Sequence, residues 1–263
     1  MVFGAQPGEM TGLAVDYGMS GAGQQLPLMM CLDTSGSMTG KPIKDLNEAL
    51  RDWSADLRSD LQLAASVQVG MVTFGSGGVR AWRGDAPLDS ASAASPFVPA
   101  PDFRPPVLEA GGVTLLTEAI ELAIRHVNTY KGLLKAENYT YYRPLIFLLT
   151  DGLPTDDQGK LSDSWKRIVP AVQKSSGEGG FELWAIGVGH LKPEGEEVLR
   201  ELAPDAFRIL GGFPFKSLLR LLSNSIDKVL AGSEGPPPVA TEPLPQSIDE
   251  TIDHFFGQFP AGQ

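Results

Sequence analysis

Leu28-Met29-Met30-Cys31-Leu32-Asp33-Thr34-Ser35-Gly36-Ser37 is the stretch on which the reading of this chain turns. Five consecutive apolar residues mark a strand buried on both faces, as in parallel sheets covered by helices. The apolar run stops at Asp33 and gives way to hydroxyls and glycine. Pro42 then fits the first turn of a helix in which Ile43, Leu46, Leu50, Trp53 and Leu57 recur at three- and four-residue intervals. A strand therefore feeds a helix through a loop that carries one carboxylate and two hydroxyls. Loops at the carboxyl ends of strands are where open α/β sheets bind their ligands. Hard divalent cations such as Mg²⁺ take oxygen ligands and retain several waters, so Asp33, Ser35 and Ser37 are chemically suited to one.

Two later segments have the same character. Thr114 follows Gly111-Gly112-Val113, immediately before a helical pattern of Leu116, Ile120, Ala123 and Val127. Asp151 follows a second buried strand, Leu145-Ile146-Phe147-Leu148-Leu149-Thr150, and precedes Gly152. Taken singly, each feature has a plainer reading: loop hydroxyls that satisfy backbone N–H groups, a helix N-cap at Thr114, a turn residue at Asp151. Taken together at one sheet edge, the five side chains form a candidate metal site.

Asp33-x-Ser35-x-Ser37, a threonine after glycine-rich sequence, and Thr150-Asp151-Gly152, in that order, resemble the metal-ion-dependent adhesion site of von Willebrand factor A domains. The resemblance implies an α/β fold: a doubly wound, Rossmann-like, mainly parallel six-stranded sheet in the order 3-2-1-4-5-6, with helices on both faces and one antiparallel edge strand. It also implies Mg²⁺, with Mn²⁺ or Ca²⁺ as alternatives, held by Asp33, Ser35, Ser37, Thr114 and Asp151, the two carboxylates acting directly or through water. Where the acids act through water, the direct shell is mostly neutral hydroxyl and leaves such a cation incompletely neutralised, so an open position attracts an Asp or Glu carboxylate of a partner protein. More narrowly, the segment from Pro144 to Asp157 resembles the bacterial tellurite-resistance-associated branch of the family. Members of that branch are linked with kinase-like proteins and metal-dependent phosphatases, which implies a scaffold or adaptor in a stress-response system. No catalytic residue is assigned, and the expectation is a binding module and not an enzyme.

Composition narrows the alternatives. A net charge of -11 disfavours nonspecific attraction to nucleic acid or anionic membrane. No basic residue precedes Lys41, and the apolar run from Leu26 to Leu32 is too short for a leader or a spanning helix, so the expected location is the cytoplasm. Cys31, the only cysteine, reads as a small buried packer, and His126, His190 and His254 share no metal-ligand spacing. The enzymatic alternative makes Asp33 a phosphatase-type aspartyl nucleophile. It lacks the second acid two residues on, where Ser35 stands, and Gly36, Gly40 and Lys41-Pro42 do not match a P-loop.

Along the chain, residues 1–25 read as an irregular arm, 26–231 as the domain, 232–246 as a Pro-rich linker, and 247–263 as an amphipathic segment with Ile248, Ile252, Phe255, Phe256 and Phe259 on one stripe. Within the domain, Val67 to Phe74 and Val79 to Trp82 suit a hairpin at the sheet edge, and Asp85 to Pro106 a surface crossing. Asn128 to Arg143 suits a long connection. Strands at Phe181 to Val188 and Phe207 to Leu210 alternate with helices around Trp165 to Val172, near Glu196 to Leu202, and over Phe215 to Leu230. Asp156 and Asp157, near the rim of the site, are expected to be solvated or to cap the next helix, and Lys41 to be a solvated charge at a helix start.

Overall fold

In the computed structural model, which describes residues 24–89, 94–178 and 180–231, the first strand, β1 (Leu26–Thr34), is buried at every position. It lies between two parallel neighbours, β2 (Val67–Gly75) and β6 (Leu145–Thr150). Beyond β6 the parallel sheet continues through β7 (Glu182–Gly187) to β8 (Phe207–Ile209). On the other side, β3 (Gly78–Arg83) runs antiparallel to β2 and carries the two-residue β4 (Ala86–Pro87), while β5 (Val98–Pro99) pairs separately with β2. The six strands anticipated from the sequence thus become eight. Without the two-residue β4 and β5, the order is 3-2-1-4-5-6 counted along the chain. The fold is the doubly wound, mainly parallel α/β sheet expected.

The alternation of β1 sends its side chains to two cores. Leu28, Met30 and Leu32 face a cluster closed by α1 (Lys41–Ser59) and α6 (Phe215–Ala231). Met29 and Cys31 face the opposite cluster, formed with α3 (Leu116–Ala136), α4 (Val169–Gly177) and α5 (Pro193–Leu202). Both faces of a parallel sheet are covered, which is why β1 and β6 are continuous apolar runs. Every residue of the α1 stripe, Ile43, Leu46, Leu50, Trp53 and Leu57, is buried. A short helix that the sequence pattern did not announce, α2 (Leu61–Ser66), follows α1 directly, and Asp60 caps it by accepting from the N–H groups of Gln62 (2.9 Å) and Leu63 (3.0 Å).

Three local readings are corrected. The stretch Asp85 to Pro106 is no mere surface crossing: Phe97 is fully buried and stacks on Tyr130 at 4.3 Å, and Phe103 meets Trp53 edge-on at 5.8 Å. Two aromatic anchors pull a segment of Ala, Ser and Pro composition into the cores. It also fills the half of the β2 edge that the hairpin leaves open, at Gln68 and Val69. The stretch from Asn128 is not a long connection, since α3 runs on to Ala136 with Val127, Tyr130 and Leu134 continuing its buried stripe. Asn128 and Gly132 are weak helix formers, but both lie on the exposed side. Around Trp165, a 3-10 turn (Ser164–Arg167) precedes α4, whose second residue is Pro170.

Only the last two residues of the 1–25 arm are described, and there Gln25 bridges Tyr141. The linker 232–246 and the segment 247–263 lie outside the described residues. Among the described residues no helix is long and apolar enough to cross a membrane.

Replacing Phe97 with alanine removes a fully buried stacked ring and is expected to cost about 3–5 kcal/mol, measured by urea denaturation. Asp227, half-buried on α6, has an Oδ1 with no hydrogen-bond partner among the described residues, and burial together with the charge of Asp60 pushes its carboxyl up to about 6. A raised folded pKa favours the fold while the acid is protonated, and that benefit is lost as pH rises through about 6. Asp227→Asn is therefore expected to be more stable than wild type at pH 7.5, by about 1 kcal/mol after allowance for solvent screening, with the difference vanishing below about pH 4.

Candidate metal centre

At the carboxyl edge of the sheet the backbone itself brings the loops together. The carbonyl of Thr34 accepts from the N–H groups of Ser76 (3.2 Å) and Gly111 (2.9 Å), and Gly36 N–H donates to the carbonyl of Gly112 (3.2 Å). Gly112 has a φ of +72°, and a Cβ there would lie 2.4 Å from the Gly75 carbonyl oxygen. Gly75, at φ +132°, would set a Cβ 2.3 Å from Ser35 N. Three loops, after β1, after β2 and before α3, thus touch at distances that only glycine permits.

On that base the five predicted side chains converge. Asp33, 1% exposed at the end of β1, accepts from Ser35 N–H at Oδ1 (2.8 Å) and from the Thr150 hydroxyl at Oδ2 (2.5 Å). The Ser35 and Ser37 hydroxyls lie 3.0 Å apart, and Ser37 Oγ donates to Asp151 Oδ1 at 2.6 Å. Thr114, 6% exposed, turns its hydroxyl toward the same point: a Cβ placed on Gly152 would lie 3.2 Å from Thr114 Oγ1 and 3.7 Å from Ser37 Oγ. Thr114 is not the N-cap of α3, a position held by Leu115 without a side-chain cap bond. Its backbone is gripped instead by Thr155, which donates its N–H to the Thr114 carbonyl and accepts from Thr114 N–H at Oγ1, both at 2.9 Å.

Charge in this cluster is stacked in depth. Burial pushes the Asp33 carboxyl up to about 6 against the hydrogen bonds from Thr150 and Ser35, and the neighbouring charge of Asp151 adds to the rise. Burial also raises Asp151, which is half-buried and opposed by its bond from Ser37. Two acids with hydroxyls drawn between them are short of positive charge, which a divalent cation would supply. The donor set is entirely oxygen, as Mg²⁺ or Mn²⁺ requires. Among the described residues no group of three or more His, Cys, Asp or Glu side chains gathers that could hold a metal. A cation bound here therefore relies on hydroxyls for much of its shell. Asp33 has both oxygens engaged and almost no exposure, a poor placement for a nucleophile that must meet a phosphoryl group.

Thr150 and Thr155 carry roles that the sequence pattern did not assign, and Thr34, expected only to shape the loop, also joins two strands. Thr150 positions Asp33, Thr155 positions Thr114, and Thr34 Oγ1 donates to the Phe74 carbonyl (3.1 Å), tying β1 to β2 beneath the site. Thr150 could have been suspected from its place beside Asp151, whereas Thr155 acts only through a contact across 41 residues. At the rim, Asp156 Oδ1 accepts from Gln158 and Lys160 N–H groups, both at 2.9 Å, so it closes a local turn in place of capping the next helix. Lys41 is paired with Asp45. Cys31 is buried, and burial raises its thiol pKa. His126 is half-buried on α3 with its pKa lowered by burial and by Arg125, His190 is exposed, and His254 lies outside the described residues.

Comparison with known proteins agrees with this architecture. The model of the von Willebrand factor type A domain matches residues 28–210, and the chain belongs to that family. Domains of this family commonly mediate protein–protein interaction and adhesion, and some depend on a divalent metal. The chain is 31% identical over 164 residues to inter-alpha-trypsin inhibitor heavy chain H2 of Mus musculus, an overlap of 62% of this chain and 15% of that protein. It therefore spans only a small part of the curated relatives it matches. Among solved structures, the von Willebrand domain of the type V pili tip protein Mfa5 from Porphyromonas gingivalis superposes with a TM-score of 0.50 at 11% identity, covering 82% of this chain and 98% of that one. The pilus adhesin SpaC of Lactobacillus rhamnosus GG, in its open conformation, superposes with a TM-score of 0.50 at 14% identity, covering 80% of this chain and 30% of the adhesin. These two likenesses are likenesses of fold.

Gly112→Ala adds a methyl group against the Gly75 carbonyl at a left-handed φ and is expected to cost about 2–3 kcal/mol in urea denaturation, since both backbone strain and overlap must be relieved.

Proposed function

We propose that this domain recognises a protein partner through a divalent cation, Mg²⁺ first, held by Asp33, Ser35, Ser37, Thr114 and Asp151. The observation that carries this reading is the convergence of five oxygen-bearing side chains from three separate segments, linked by the Asp33, Ser35, Ser37 and Asp151 contacts, at the edge where such sheets bind ligands. When bound, the cation supplies a Lewis-acidic coordination position for an aspartate or glutamate of the partner. The chain's own residues do the rest. Thr150 and Ser35 N–H hold Asp33 beneath the site, Thr155 fixes the backbone of Thr114, and the hydroxyls of Ser35, Ser37 and Thr114 offer neutral oxygen that leaves charge on the cation.

The narrower role, a cytoplasmic scaffold of tellurite-resistance type working with kinase-like or phosphatase partners, is supported by the segment from Pro144 to Asp157, and a single buried thiol accords with that compartment. Two rival readings give different outcomes in one set of measurements. A domain whose metal only stabilises the fold is stabilised by Mg²⁺ but gains no affinity for carboxylate peptides. A phosphoryl-transfer enzyme turns over a phosphate ester in a manner abolished by Asp33→Asn.

Calorimetric titration of Mg²⁺ or Mn²⁺ is expected to saturate in wild type and to show no binding in Asp33→Ala, and at least tenfold weaker binding in Ser37→Ala. At a free metal concentration 100 times Kd, wild type is expected to gain about 2.7 kcal/mol against urea and Asp33→Ala nothing. Equal binding by wild type and Asp33→Ala removes the assigned site.

A further inference from the structure

Beside the candidate metal site stands a small hairpin that buries Pro154 and leaves Leu161 largely exposed. Thr155 and Leu161 form an antiparallel bridge, Ser162 N–H donates to the Pro154 carbonyl (3.0 Å), and Asp156 N–H donates to the Lys160 carbonyl (2.8 Å). The Asp156 carboxylate closes the tip from within, through its bonds from Gln158 and Lys160. The hairpin is seated on the site itself. Thr155 makes two hydrogen bonds to the Thr114 backbone, one from its N–H and one at its hydroxyl oxygen, and a Cβ on Gly159 would lie 3.3 Å from Val113 Cγ1.

Partners in an antiparallel bridge project their side chains from the same face of the pair. Thr155 aims its hydroxyl at Thr114 N–H, so Leu161 projects from the hairpin face that looks onto the Thr114 loop. Leu161 is nevertheless 72% exposed, one of the few large apolar side chains so placed among the described residues. A leucine carried on an internally hydrogen-bonded hairpin has its backbone position set by those bonds, which lowers the backbone entropy lost on contact.

Resting on the metal-dependent reading above, we infer that Leu161 is a specificity-determining contact. The partner segment that fits this surface carries an aspartate or glutamate for the cation and, within about two residues of it, an apolar side chain that covers Leu161. Removal of one leucine's exposed apolar surface from water is sufficient for roughly tenfold in affinity.

The test uses the full chain with saturating Mg²⁺ and a displayed library of twelve-residue peptides with one fixed central glutamate, eluted by EDTA. Peptides recovered from wild type are expected to be enriched in Leu, Ile, Val, Phe or Met within two positions of the glutamate. The best of them is expected to bind Leu161→Ser about tenfold more weakly and Lys160→Ala as well as wild type, with Mg²⁺ affinity by calorimetry the same in all three proteins. EDTA-eluted peptides without apolar enrichment, or an unchanged affinity in Leu161→Ser, overturn the role of Leu161 and leave metal-dependent recognition standing. If Mg²⁺ binds but no peptide is released by EDTA, the recognition reading falls, and this inference with it.

Discussion

The close approach of three loop backbones at the end of β1 is the constraint on which the rest of this molecule depends. Thr34 gives its one carbonyl to two N–H groups, from the loop after β2 and the loop before α3, and Gly112 lies against Gly75 where no side chain fits. Parallel pairing of β1 with β2 and β6 brings the strand ends level, but pairing alone does not bring the loops into contact. The glycines do that. With the backbones fixed, short side chains suffice: serine, threonine and aspartate reach one another with few rotatable bonds to immobilise.

Burial of Asp33 beneath this edge is the electrostatic counterpart. A carboxylate in that position costs stability when ionised, and its hydrogen bonds from Thr150 and Ser35 offset only part of the cost. Asp151, nearer to solvent, adds a second negative charge that the hydroxyls orient but do not neutralise. The fold therefore holds a local electrostatic deficit at the end of its central strand. Negative charge held in this way favours any cation that reaches the edge.

The hairpin at 154–162 gives the same edge a second chemical character. It is tied to Thr114, so its exposed leucine is geometrically coupled to the oxygen cluster at the strand ends. Fold likeness to pilus proteins says how the sheet is built and carries no information about the side chains at this edge.

Much of this was legible in the linear sequence, for a physical reason. Buried parallel strands must be continuously apolar, so β1 and β6 announce themselves, and the abrupt change to Asp33 and to Thr150-Asp151 marks where each strand leaves the core. The helical stripe of α1 is equally plain, because burial of one face demands its spacing. Local pattern does not encode contacts between distant segments. The sequence around Phe97 is mostly small and polar, so its stacking on Tyr130 is invisible until α3 is packed against the sheet. The length of α3 escaped notice because Asn128 and Gly132 weaken its local preference, and tertiary burial of Tyr130 and Leu134 overrides them. The sequence by itself determined which residue types could meet at the sheet edge. Only the tertiary structure decided that Thr150 holds Asp33, that Thr155 holds Thr114 and that Leu161 stands exposed beside them, because hydrogen bonds across tens of residues exist only once the chain has brought those segments together.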